Sequence, residues 1–201
     1  MNETNAGHAT GAVILCGGLA RRMGGQDKGL VLLAGKPMAS YAVATVKPMV
    51  DRCVINANRN QLLYEKLGVP VVADVHEGHL GPLAGLSAAI EFLNCEHVCM
   101  CPCDSPFLQA GLIETLLSGC IEADADIAVA HDGERLQPVF IAVHRRVKPS
   151  LDRFLHAGER KIDRWFTQHS TLEVSAREFT ESFRNINTKD ELKDAEQVLK
   201  G

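Results

Sequence analysis

A glycine-rich segment that carries three cationic side chains is the part of this sequence best suited to chemistry. Residues 12 to 29 read AVILCGGLARRMGGQDKG, so a short apolar run leads into a loop with four glycines before Lys28. Glycines let a backbone approach a ligand closely, and Arg21, Arg22 and Lys28 bring three cations to the same place. The segment therefore predicts a polyphosphate site. It differs from the two common phosphate-loop patterns, because no Gly-Lys-Ser/Thr follows the glycines and no GxGxxG is present.

Asp104 is the second residue with clear chemical potential. It lies in PCDSPF, directly after an apolar run. Mg²⁺ prefers one or two carboxylates together with phosphate oxygens and water, so we predict that Asp104 holds Mg²⁺ beside phosphates bound by Lys28. Two structural alternatives stay open. Asp104 could cap the helix that follows it, and Lys28 could pair with Asp27 in solvent.

Polar side chains also follow two further apolar runs. Asn56 ends one of these runs and Asp74 follows another. An asparagine offers a donor and an acceptor, and an aspartate offers acceptors, which suits ribose hydroxyls or the N1 and N2 hydrogens of guanine. Each residue could instead satisfy backbone groups of its own loop.

These residues need elements that bring them together, and the chain alternates strand-like and helix-like runs. Continuous apolar strands separated by helices are typical of a parallel sheet that is covered on both faces. We therefore predict a doubly wound, mostly parallel α/β sheet of Rossmann-like type in three layers, α/β/α. Such sheets bind ligands beyond the carboxyl ends of their strands, where the polar residues lie. The predicted strands are 12–16, 53–56, 69–73, 97–101, 127–130, 139–143 and 172–174, and the predicted helices are 38–49, 61–67, 83–93, 110–120, 147–156 and one that Thr188 and Glu191 open as a capping box.

Composition limits the class of protein. The chain has 201 residues, 46% of them hydrophobic, and a formal net charge of −4. This size suits one domain, and the acidic balance argues against a general nucleic-acid binder. Residues 1–10 lack the pattern of a signal peptide, and no apolar run approaches the roughly 18 residues of a membrane span. We expect a disordered tail at 1–10 and a cytoplasmic protein with no membrane segment.

The seven cysteines include a CMCPC run at 99–103. Zinc sites usually use CxxC spacing with a second pair further along, which is missing here. Free cysteine is among the most buried residue types, so we predict reduced thiols in core strands.

The glycine-rich segment resembles the LxGGxxxRMGxxDK signature of nucleotidyltransferases, and in particular of the molybdenum cofactor guanylyltransferases. The resemblance extends from Ala12 to about Leu199. It implies transfer of GMP from GTP to the terminal phosphate of molybdopterin or Mo-molybdopterin, with Mg²⁺ as cofactor and pyrophosphate as product. It also divides the single domain, 11–201, into a nucleotide-binding half, 11–108, and a pterin-binding half, 109–201.

The resemblance assigns roles residue by residue. Catalytic roles fall on Lys28, Arg22 and Asp104, and Asp104 is the metal ligand. The implied nucleotide-binding residues are Leu15, Cys16, Gly17, Gly18, Lys28, Asn56, Asp74 and Asp104, and the implied pterin-binding residues are Arg160, Lys161, Asn185 and Asn187. The GPLAG run at 81–85 resembles the family's base-pocket turn. Family members often carry alanine where this chain has Cys16.

Two other interpretations stay open. The chain could be a cytidylyl- or sugar-phosphate nucleotidyltransferase of the same fold, or a non-enzymatic carrier that binds GTP or a pterin. Under the guanylyltransferase interpretation, proteins that deliver molybdopterin and mature molybdoenzymes are the implied partners.

Overall fold

The computed structural model describes residues 9–17, 19–20, 26–75 and 81–200. The strands are β1 (Thr10–Leu15), β2 (Leu19–Ala20), β3 (Gln26–Asp27), β4 (Leu32–Leu33), β5 (Lys36–Pro37), β6 (Arg52–Asn56), β7 (Val71–Val72), β8 (His97–Pro102), β9 (Ile127–His131), β10 (Leu136–His144) and β11 (Thr171–Ser175). The α-helices are α1 (Met38–Val46), α2 (Gln61–Glu65), α3 (Pro82–Leu93), α4 (Ala110–Glu122), α5 (Lys148–His156), α6 (Ile162–Phe166) and α7 (Lys189–Lys200). Short 3₁₀ helices span Lys28–Leu30, Lys47–Met49, Arg145–Val147 and Arg177–Phe183.

Within these residues one large sheet has the order β11-β9-β10-β8-β1-β6-β7. Strand β1 pairs in parallel with both β6 and β8, β6 pairs in parallel with β7, and β9 pairs in parallel with β11. Only β10 of this sheet runs against its neighbours, β8 and β9. The prediction of a mostly parallel sheet is confirmed.

Both faces of the sheet are covered, which explains why its strands read as continuous apolar runs. Val13 and Ile14 of β1 point to opposite faces, and both are fully buried. Val13 packs in a core with α3, α5 and α6, whereas Ile14 packs in a second core with α1, α2 and α4. The three-layer α/β/α arrangement follows from this pattern.

The structure differs from the predicted elements mainly at their ends. Helix α1 ends at Val46 and gives way to a 3₁₀ turn that contains Pro48, whose ring nitrogen has no hydrogen to continue the helix. Strand β10 is longer than predicted, with a register shift between Gln137 and Ile141. Helix α6 was not predicted, because its single apolar turn is too short to show periodicity.

The capping box at α7 is confirmed. The Glu191 N–H donates to Thr188 Oγ1 (3.2 Å), and the Thr188 N–H donates back to Glu191 Oε2 (2.9 Å). None of the described helices is both long enough and apolar enough to cross a bilayer. Of the tail predicted at residues 1–10, residues 1–8 lie outside the described residues, as do Gly18, Arg21 and Arg22. The end of that tail was predicted wrongly, because Thr10 already belongs to β1.

Candidate active site

The carboxyl ends of the parallel strands β1, β6, β7 and β8 meet at one edge of the sheet, which we call the rim. The Cys16 N–H donates to the carbonyl oxygen of Asn56 (2.8 Å), and the Cys103 N–H donates to that of Leu15 (3.1 Å). These hydrogen bonds hold the start of the glycine-rich loop between the ends of the two neighbouring strands. The structure therefore brings Leu15, Cys16 and Gly17 to the rim.

Lys28 meets Asp104 at the rim, although 76 positions separate them in the sequence. Lys28 Nζ forms an ion pair with Asp104 Oδ2 and also donates to Asn187 Oδ1 (2.6 Å). The Lys28 and Asp104 side chains are only 13% and 14% exposed, so the two charges interact in a partly dehydrated place. The alternative pairing of Lys28 with Asp27 is wrong, because the Asp27 carboxylate is bound by other residues.

The two oxygens of the Asp104 carboxylate have different surroundings. Its Oδ2 faces Lys28, whereas its Oδ1 is buried and has no hydrogen-bond partner among the described residues. The alternative in which Asp104 caps α4 is wrong, because α4 begins at Ala110 and the N–H of the preceding Gln109 donates to Ser182 Oγ (3.0 Å). A buried carboxylate oxygen without a partner is costly unless something binds it. A cation that also binds phosphate oxygens fits this donor set.

The segment 185–188 packs directly against the Asp104 loop. The Ile186 N–H donates to the carbonyl oxygen of Asp104 (3.0 Å), and Ser105 Oγ donates to Asn185 Oδ1 (2.6 Å). The Ile186 side chain between the two asparagines is fully buried. This anchoring places Asn185 and Asn187 beside Lys28 and Asp104. The two asparagines belong to the predicted pterin-binding half, yet they lie against residues of the predicted nucleotide-binding half.

Asn56 and Asp74 lie together and bind each other. Asn56 Nδ2 donates to Asp74 Oδ1 (2.9 Å) and to the carbonyl oxygen of Val72 (3.3 Å). Asn58 Nδ2 donates to Asp74 Oδ2 (2.8 Å), and the Asp74 N–H donates to Asn58 Oδ1 (2.8 Å). A carboxylate has about four acceptor positions, so Asp74 retains capacity for a ligand. Asn58 was not among the predicted site residues, and its position directly beyond β6 was the available signal.

The GPLAG run forms the start of α3. Gly81 has a positive φ of 75° and precedes Pro82, the first helical residue. A Cβ on Gly85 would lie 2.3 Å from Asn56 Oδ1 and 2.8 Å from Leu15 Cδ2, so only glycine lets α3 approach this closely. The first turn of α3 therefore lies against the Asn56 side chain.

Arg160 and Lys161 lie in the loop between α5 and α6. Arg160 Nη1 donates to the carbonyl oxygens of Leu155 (2.9 Å) and Glu159 (2.5 Å), which closes the end of α5. Lys161 directly precedes α6. In the part of the chain that the structure describes, no hydrogen bond or ion pair joins these two residues to Asp104, Asn185 or Asn187.

The prediction of buried free thiols is confirmed for all seven cysteines. Burial raises the pKa of Cys99 to about 12 and that of Cys53 to about 11, so these thiols stay protonated. Burial and, to a smaller extent, a hydrogen bond with Cys103 also raise the pKa of Cys16 well above its usual value. No group of three or more His, Cys, Asp or Glu side chains with metal-binding geometry occurs among the described residues.

A cluster of polar side chains around the Asp27 carboxylate, next to Lys28, was not predicted. The Asp27 carboxylate accepts hydrogen bonds from the Tyr64 hydroxyl and from Asn60 Nδ2 (3.1 Å). Tyr64 lies in α2, and Asn60 is the residue just before that helix. Both are more than thirty positions from Asp27 in the sequence. No local pattern in the sequence indicates this contact, because it depends on how α2 packs beneath the loop.

Comparison with known proteins now adds to this geometry. Residues 12–173 match the family model described as "MobA-like NTP transferase domain". A relative named molybdenum cofactor guanylyltransferase in Shewanella sediminis is 43% identical over 188 residues, which cover 94% of this chain and 96% of the relative. A relative of the same name in Shewanella sp. strain MR-4 is 45% identical over 177 residues, which cover 88% of this chain and 90% of the relative. The chain belongs to the molybdenum cofactor guanylyltransferases of this family.

Solved structures agree with this assignment. Molybdopterin-guanine dinucleotide biosynthesis protein A from Archaeoglobus fulgidus superposes with a TM-score of 0.79 at 26% identity, covering 95% of this chain and 98% of that one. A 4-diphosphocytidyl-2C-methyl-D-erythritol synthase from Anaerococcus prevotii reaches a TM-score of 0.72 at only 12% identity, with 96% and 99% covered, and shows a shared fold alone. The chain is thus a nucleotidyltransferase enzyme, and the guanylyltransferase interpretation is favoured over the cytidylyltransferase and carrier alternatives.

Proposed function

We propose that the rim is where this chain transfers GMP from GTP to the terminal phosphate of Mo-molybdopterin. A phosphate oxygen of the pterin attacks the α-phosphorus of GTP and forms a new phosphoanhydride bond. The bond from that phosphorus to the oxygen bridging to the β-phosphate breaks, and pyrophosphate leaves with the electron pair. No covalent enzyme intermediate is required, so positioning and charge neutralisation carry the reaction. The observation that best supports this site is the contact of Lys28 with Asp104 at the end of the glycine-rich loop.

Lys28 is proposed to neutralise phosphate charge during transfer. Its ammonium group is held at the rim by Asp104 and Asn187, so it is already oriented when GTP arrives. A fixed cation in a partly dehydrated site stabilises developing negative charge without reorganisation. Arg22 and Gly18 are proposed to act in the same loop, together with the backbone of Leu15, Cys16 and Gly17 around the phosphates.

Asp104 is proposed to hold Mg²⁺ through Oδ1, the oxygen that has no partner among the described residues. When bound, Mg²⁺ supplies charge neutralisation for the phosphates of GTP and for the departing pyrophosphate. The chain's own contribution is to fix the Asp104 carboxylate in place. The Ile186 N–H fixes the Asp104 backbone, and Lys28 holds the other carboxylate oxygen.

Asn56 and Asp74 are proposed to contact the nucleoside. Their mutual hydrogen bond orients the Asp74 carboxylate, and Asn58 holds its second oxygen. The start of α3 beside Asn56 supplies one wall of the base pocket. Asn185 and Asn187, next to Asp104 and Lys28, are proposed to contact the pterin, and Arg160 and Lys161 are proposed to contribute to its binding as well.

The substrates imply a cellular setting. We infer that the enzyme works in the cytoplasm with proteins that deliver molybdopterin and with the maturation proteins of molybdoenzymes. Seven free, buried cysteines agree with a reducing compartment.

The first prediction concerns Lys28. Lys28→Ala is expected to lower kcat/KM by about 100-fold, because it removes one fixed charge that faces the phosphates. Lys36→Ala is the matched control, since Lys36 carries the same charge on the exposed β5 strand. Steady-state pyrophosphate release with GTP and molybdopterin measures both variants. Equal rates for Lys28→Ala and Lys36→Ala would refute the role of Lys28.

Base selectivity is a second expected result. If Asp74 and Asn56 pair with guanine, adenine leaves two buried polar groups unpaired, and each mismatch costs roughly 1 to 3 kcal/mol. GTP should then exceed ATP by on the order of 100-fold in kcat/KM. CTP should also react poorly, because its smaller ring does not fill a purine pocket. A competition assay with the three nucleotides tests this, and equal use of GTP and CTP would favour the cytidylyltransferase alternative instead.

A further inference from the structure

The residue before Lys28 is anchored in the protein core. Asp27 is only 9% exposed, and both oxygens of its carboxylate are bound by other side chains. One oxygen accepts from the Tyr64 hydroxyl and the other accepts from Asn60 Nδ2 (3.1 Å). The side chains of Asp27 and Lys28 therefore leave the backbone towards different partners, α2 for Asp27 and Asp104 for Lys28.

The residue after Lys28 rests on the same tyrosine. Gly29 is buried, and a Cβ built on it would lie 2.6 Å from the Tyr64 hydroxyl oxygen and 3.2 Å from Cys103 Sγ. The Tyr64 side chain is fully buried. The Tyr64 hydroxyl thus contacts the residues on both sides of Lys28, and neither neighbour can shift without moving it.

Helix α2 presents this hydroxyl in a defined place. Asn60 precedes the helix in a left-handed conformation with a φ of 53°, and its carbonyl oxygen accepts from the N–H groups of Leu63 (2.8 Å) and Tyr64 (3.2 Å). Both donors to Asp27 therefore come from a single turn. Burial, reinforced by the neighbouring Cys16 and Asp27, raises the pKa of Tyr64, so the phenol stays protonated and can donate.

We propose that Tyr64 is a positioning residue for the reaction. It holds the backbone on both sides of Lys28 so that the ammonium group reaches the phosphates from one direction. This inference rests on the proposed role of Lys28, and it assigns to Tyr64 no contact with either substrate.

A double-mutant cycle separates this role from simple support of the core. Tyr64→Phe removes the hydroxyl and keeps the ring, so we expect kcat to fall about tenfold through misplacement of Lys28. In the Lys28→Ala background the same change should produce no further loss, because no ammonium group remains to be positioned. Tyr41→Phe is the matched control: it removes a hydroxyl that donates to the Leu33 carbonyl oxygen (2.8 Å) and not to Asp27.

Asn60→Ala provides a second route, since the exposed Asn60 side chain can be removed without opening the core. We expect a smaller loss in kcat that also disappears in the Lys28→Ala background. If the losses from Tyr64→Phe or Asn60→Ala multiply with that from Lys28→Ala, or if Tyr64→Phe behaves like Tyr41→Phe, the positioning role is overturned and the role of Lys28 stands. If Lys28→Ala itself retains full activity, the role of Lys28 is overturned and this inference falls with it.

Discussion

Asp104→Ala is expected to reduce the rate of GMP transfer by on the order of 10³-fold. The reason is that several kcal/mol of transition-state stabilisation depend on the Mg²⁺ that Asp104 is proposed to hold at the rim. The change removes a carboxylate whose Oδ1 has no partner among the described residues and whose Oδ2 faces Lys28. It removes no core volume, so the midpoint of thermal unfolding should change little. Pyrophosphate release at saturating Mg²⁺ is the measurement.

The matched control for this variant is Asp51→Ala. The Asp51 Oδ2 accepts hydrogen bonds from the Thr10 N–H (2.8 Å) and the Thr10 hydroxyl (3.1 Å), at the amino end of β1 and so far from the rim. The Asp51→Ala variant also loses one carboxylate and a comparable number of hydrogen bonds, but its rate of GMP transfer should equal that of the unmodified enzyme. Turnover of Asp104→Ala near that of Asp51→Ala would refute the metal-binding assignment.

The rim could be predicted from the sequence because it depends on local signals. Continuous apolar runs mark parallel strands, and residues directly after such runs reach the same edge of the sheet. By this logic the sequence alone predicts that Asn56, Asp74 and Asp104 lie at one edge of the sheet. It also predicts that Lys28 lies near Asp104. The loop that carries Lys28 follows β1, and Asp104 follows β8, which is paired with β1.

The contacts that orient these residues could not be predicted in the same way. Asp27 and Tyr64 are 37 positions apart, and the only sequence signal is an aspartate beside a lysine, which suggests a surface ion pair. The direction of β10 was equally hidden, because antiparallel and parallel strands that are buried on both faces have the same apolar pattern. The contacts of Arg160, which the resemblance places near the pterin, were hidden too: its guanidinium binds the carbonyl oxygens of Leu155 in α5 and of Glu159, and no local pattern indicates this.

Gly17 provides the sharpest test that the loop binds phosphate. Among the described glycines, it alone has both an ordinary φ and no atom of a described residue within 4 Å of the place where a Cβ would lie. Neither backbone strain nor a side chain in the described part of the chain therefore requires glycine here. If a larger residue is not tolerated, the reason must be a ligand that approaches the backbone from the open side.

Gly17→Val is accordingly expected to fold normally and to weaken GTP binding by on the order of 100-fold or more, since its side chain fills the space that the phosphates need. Gly17→Ala should give an intermediate loss. Ala9→Val is the control, because it adds bulk at an exposed position just before the amino end of β1. Calorimetric titration with GTP measures all three affinities. If Gly17→Val binds GTP as tightly as Ala9→Val, the phosphates lie elsewhere, and the proposed path of the nucleotide from Gly17 to Lys28 is wrong.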